Sequence, residues 1–69
     1  MNNPEIGKNG DTRWHNEYGQ LHREDGPAIE YPNGDTWWYQ NHLLHREDGP
    51  AIEWADGRRY WYINGKQIE

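Results

Sequence analysis

The chain has 69 residues, a formal net charge of −5, no cysteine, and five Trp and five Tyr against no Phe. That length allows one small domain. The lack of cysteine excludes disulfides and thiolate metal sites, and the acidic balance argues against nucleic acid and anionic membrane, whose phosphates need clustered Lys and Arg.

In chain order, the first readable element is a turn, Lys8-Asn9-Gly10, inside an eroded half-unit spanning 1–20. Next comes Leu21-His22-Arg23-Glu24-Asp25-Gly26-Pro27-Ala28-Ile29-Glu30, which recurs without change at 44–53. The two full units, 21–43 and 44–66, are identical at 14 of 23 positions, so the repeat extends beyond the decapeptide. Pro4, Ile6, Asn9, Gly10 and Trp14 echo Pro27, Ile29, Asn33, Gly34 and Trp38, with a one-residue slip either side of Gly10.

Each unit reads as a β-hairpin. Ala28–Tyr31 alternates like a strand. Pro32-Asn33-Gly34 and Ala55-Asp56-Gly57 suit a type I turn closed by glycine at positive φ. Thr36–Gln40 and Arg59–Ile63 read as longer strands of β-forming residues. Asn41–Pro50 reads as a long connecting loop, and Asn64-Gly65 as a tight turn. Gly34 and Gly57 are expected to tolerate substitution less well than Gly65. The expected fold is all-β: an antiparallel meander of six or seven strands, with segments 1–7 and 67–69 at the edges.

The 23-residue period and the marks Trp61-Tyr62-Ile63-Asn64-Gly65-Lys66, His45, Gly49, Ala51–Trp54 and Asp56-Gly57 resemble the MORN repeat family. The His-Arg-Glu-Asp-Gly-Pro-Ala core is closer still to variant repeats of phage and large-virus proteins. Pro27 and Pro50 depart from the MORN pattern, standing where small residues are usual. The resemblance implies a single-layer twisted sheet that acts as a protein or lipid interaction module.

Strand alternation places Trp14, Trp38 and Trp61 on one face, and Trp37, Tyr39, Tyr60 and Tyr62 on the other. Ile29 with Tyr31 and Ile52 with Trp54 are the apolar pairs of the short strands. The quartet Trp37, Tyr39, Tyr60 and Tyr62 is the candidate protein-binding patch and the expected seam of a twofold homodimer. The other possibility is that the sheet curls over and part-buries both faces.

The two His-Arg-Glu-Asp loops read as structural. His22 and His45 are expected to serve backbone groups or stack on the tryptophan row, and Arg23 and Arg46 to pair with Glu30 and Glu53. A tandem copy of one loop is a poor substitute for the single asymmetric constellation that catalysis needs. No enzyme activity is expected, and no cofactor. His22, His42 and His45 lack zinc-motif spacing, so no metal site is assigned.

The leading functional expectation is a small acidic protein-binding module, of the kind a phage uses to occupy and inhibit a host defence protein in the host cytoplasm. The alternative is a nucleotide- or sugar-binding protein that uses Arg23, Arg46, Arg58 and Arg59. No apolar run reaches membrane-spanning length and no signal pattern opens the chain, so a soluble cytoplasmic protein is expected.

Overall fold

A computed structural model describes residues 4–68. The protein is all-β, with antiparallel strands and no helix among the described residues. Three five-residue connections join the strands of the main sheet, and a fourth, from Asn16 to Gln20 with Gly19 at φ 78°, has the same bonds. In each, the first residue donates its N–H to the carbonyl of the fifth, and the fourth donates back to the first. The pairs are Gly7 with Asp11 and Gly10, Tyr31 with Asp35 and Gly34, and Trp54 with Arg58 and Gly57. The fourth residue must take positive φ to re-enter the strand, and Gly10, Gly34 and Gly57 do so at 87°, 103° and 98°. These are the turns predicted at Asn9-Gly10, Asn33-Gly34 and Asp56-Gly57.

The turns join β1 (Glu5–Ile6) to β2 (Thr12–Arg13), and β3 (Ile29–Glu30) to β4 (Thr36–Trp37). The third joins β7 (Ile52–Glu53) to β8 (Arg59–Tyr60). The six strands form one antiparallel sheet in the order β1-β2-β3-β4-β7-β8. Beyond Trp38, β5 (Tyr39–Gln40) pairs with β6 (Leu43–Leu44). Beyond Trp61, β9 (Tyr62–Ile63) pairs with β10 (Lys66–Gln67).

Register corrects the assignment of faces. Arg13, Ile29, Trp37, Ile52 and Tyr60 lie directly opposite one another across the sheet, so they share a side. Thr12, Glu30, Thr36, Glu53 and Arg59 form the row on the other side. The buried isoleucines therefore align with Trp37 and Tyr60, not with the recurrent Trp14, Trp38 and Trp61. The core is small: among the described residues Ala28, Ile29, Ala51 and Ile52 are the buried apolar ones, and no large side chain is fully enclosed. Around them the aromatic rings are half-buried, Trp37 meeting Trp54 edge-on at 5.6 Å.

Three further expectations change. The stretch from Asn41 is not one long loop, because Asn41 and His42 form a tight turn between β5 and β6. Both have positive φ, 50° and 70°, as do Asn64 at 50° and Gly65 at 81°. That pattern is the mirror-image turn that matches strand twist, and it makes Gly65 as conformationally demanding as Gly34 and Gly57. The half-unit's Ile6 does not sit where Ile29 sits. Ile6 lies opposite Thr12, the place Glu30 takes, while Glu5 occupies the isoleucine row. Ile6 is accordingly 64% exposed, against 6% for Ile29. Finally, the main sheet ends at β8 rather than at 67–69, since Lys66–Gln67 pairs only with β9. Residues 1–3 and 69 of the predicted edges lie outside the described residues.

Candidate functional site

The copied loops are the most elaborately bonded part of the molecule. His22 Nδ1 accepts the Asn41 N–H at 3.0 Å, and His45 Nδ1 accepts the Asn64 N–H at 3.1 Å. Each imidazole thus ties its loop to the hairpin that follows, and its Nε2 faces Glu24 or Glu47 at 3.4 Å. The expected backbone role of the histidines is what the geometry displays. The stacking role belongs to the arginines instead: Arg23 lies over Trp14 at 4.3 Å and Arg46 over Trp38 at 3.9 Å.

Arg46 also fastens the loop to itself. Its Nε donates to Asp48 Oδ1 at 3.0 Å and its Nη1 to the Pro50 carbonyl at 3.1 Å, with Glu53 Oε1 at 3.5 Å. Arg23 makes the equivalent bonds to Asp25 and Pro27 and meets Glu30 at 3.6 Å. A side chain at Gly49 would bring a carbon within 2.9 Å of the Arg46 guanidinium carbon, and Gly26 stands in the same relation to Arg23. Glycine follows Asp here to let the guanidinium lie flat on the loop. A guanidinium held between an indole face and carboxylates is a rigid element.

This bonding leaves the acidic tips outside. Glu24, Asp25, Glu47 and Asp48 have side chains 80–88% exposed. They rim one open groove of about 460 Å³ between the loops, which Trp38 and Arg46 also line. The sequence alone gives these loops a structural role and assigns no site to their acids. The signal available was that both copies of the loop carry adjacent carboxylates, so the fold need only set the loops side by side.

Trp37, Tyr39, Tyr60 and Tyr62 are all half-buried, and the large apolar side chains that stand exposed are Ile6, Tyr18, Leu43 and Ile68. Burial, with a smaller contribution from Tyr31, holds the Tyr39 hydroxyl above the ordinary phenol range.

The four arginines of the ligand-binding alternative do not converge. Arg23 and Arg46 are held as described. Arg58 pairs with Asp56 at 2.9 Å, and Arg59 with Glu53 at 3.6 Å. The Arg58 N–H, then its side chain, hold the Asp56 carboxyl below the usual range. Among the described residues no three His, Asp or Glu side chains gather as a metal site, and no helix is long and apolar enough to cross a membrane. Compared with known proteins, the chain matches no family model, no curated protein and no solved structure.

Proposed function

We propose that this protein is a binding module for a basic protein surface, built from tandem 23-residue hairpin units of the MORN-like kind. The observation that carries the reading is the groove between the copied loops, where four exposed carboxylates are presented on backbone held rigid by Arg23 and Arg46. Preorganised charge of one sign speeds encounter with an oppositely charged surface and rejects like-charged ones. The rim carboxylates are exposed in the free protein, so salt weakens such contacts. The mode of action is occupancy: a partner with its basic surface covered is inhibited, which suits a phage-encoded inhibitor of a host protein. A nucleotide-binding role is the weaker reading, because each candidate arginine is already paired with a carboxylate of its own chain.

Capture from a cell lysate on the immobilised protein tests this. The expected result is a stoichiometric basic protein that elutes with salt and is lost from the Glu24→Lys/Glu47→Lys variant, with the melting temperature of that variant unchanged. Capture that survives both salt and the double variant would overturn the reading.

A further inference from the structure

Among the described residues the main sheet ends in two open strands, and they are not alike. On β1, Glu5 stands opposite Arg13 in the row that continues through Ile29, Trp37, Ile52 and Tyr60. A charge in the apolar row of an edge strand is a recognised guard against pairing with another chain. On β8 the same row holds Tyr60, and no such guard is present.

The molecule itself shows twice what covers an edge of this kind. The outer side of β2 is covered by Ala28-Ile29-Glu30, with the Trp14 N–H bonded to the Ala28 carbonyl at 2.8 Å. The outer side of β4 is covered by Ala51-Ile52-Glu53, with the Trp38 N–H bonded to the Ala51 carbonyl at 2.7 Å. In each case a small residue meets the tryptophan backbone, a branched aliphatic lies in the apolar row, and a glutamate lies in the polar row. Trp61 occupies the third such position. No acceptor for its N–H is found among the described residues. Alternate residues of an antiparallel strand aim their polar groups at alternate neighbours. Since the Tyr60 carbonyl is bonded inward to the Ala51 N–H at 2.8 Å, Arg59 and Trp61 face outward.

We infer that the outer edge of β8 accepts an extended segment of another polypeptide, antiparallel, with the pattern small–branched aliphatic–acidic. The small residue pairs with the Trp61 backbone, the aliphatic side chain lies beside Tyr60, and the acid stands opposite Arg59. At this position of the polar row β8 presents Arg59 where β2 and β4 present Thr12 and Thr36, so the acidic residue stands beside an arginine that already meets Glu53 on its inner side at 3.6 Å. The β1 edge of a second copy is a poor occupant, because it would bring Glu5 against Tyr60. This edge is distinct from the acid-rimmed groove and does not depend on the function proposed for it.

The probe is a synthetic nonapeptide of residues 47–55, Glu-Asp-Gly-Pro-Ala-Ile-Glu-Trp-Ala, titrated into the full protein while amide exchange is followed by NMR. The expected result is saturable binding that slows exchange of the Trp61 and Arg59 amides. A peptide with glutamate in place of the isoleucine is expected not to bind. Arg59→Glu is expected to weaken binding roughly tenfold, and a peptide with lysine in place of its final glutamate is expected to restore it. Binding that protects no β8 amide, or that the isoleucine-to-glutamate peptide matches, would overturn the inference. So would protection of Trp61 in the protein alone that rises with concentration, since the occupant would then be a second copy.

Discussion

The first hairpin and the two that follow share one backbone and differ in what they bury. All three close through the same five-residue connection. Yet the row that carries Ile29 and Ile52, each about 6% exposed, carries the exposed Glu5 in the first hairpin. Turn chemistry is therefore sufficient to shape a hairpin here, and apolar filling decides which hairpins hold the domain together. The histidines follow the same gradient, with His45 buried and His22 half-buried.

The largest effect expected from this difference is at the isoleucines. Ile52→Ala is expected to cost about 2–4 kcal/mol, most of the roughly 3–5 kcal/mol that a core of this size supplies. Glu5→Ala is expected to change stability by no more than about 0.5 kcal/mol. Urea unfolding of the two variants decides it, and equal losses would show that the first hairpin is part of the core.

Next come the turn glycines. Gly57→Val and Gly65→Val are each expected to destabilise by about 1–2 kcal/mol from positive φ alone, with Gly65 somewhat worse because Leu43 lies 3.2 Å from the added carbon. Gly10→Val carries the same local strain but opens only the first hairpin. It is expected to speed amide exchange at Thr12 and Arg13 while the midpoint for the rest of the sheet stays in place.

His45→Gln is expected to cost about 1 kcal/mol by leaving the Asn64 N–H without its acceptor. His22→Gln, at the half-buried copy, is expected to cost less by the same thermal measurement. Identical shifts would mean that burial does not scale the bond. The smallest effect is at Glu5→Ile, which is expected to change stability by no more than about 0.5 kcal/mol because its cross-strand partner is Arg13, and to make sedimentation depend on concentration as the guard on β1 is removed.

What was legible in the sequence was local. Pro32-Asn33-Gly34 and Ala55-Asp56-Gly57 announce their turns because glycine is needed within a few residues of the strand it re-enters. The turn at Asn41-His42 was hidden, since histidine at φ 70° gives no such signal. The faces were hidden as well. With Trp37 and Trp38 adjacent, alternation cannot tell which points to the core, and the deciding fact is that Trp37 lies opposite Ile29 and Ile52. Matching Ile6 to Ile29 by identity failed because the strand is counted from its turn, and Ile6 stands four positions before Gly10 where Ile29 stands five before Gly34. The acidic groove depends on two loops 23 residues apart lying side by side, which no single stretch of sequence contains.

The edge-on pair of Trp37 and Trp54, with ring planes at 76°, has an optical consequence. Two indoles at 5.6 Å couple their electronic transitions, and a chiral arrangement of them splits the far-ultraviolet dichroism into lobes of opposite sign. The protein's spectrum in that region is thus expected to report ring geometry as much as backbone. The two rings come from β4 and from the turn between β7 and β8, so this exciton couplet vanishes when those segments separate. It offers a label-free gauge of whether neighbouring hairpins are docked.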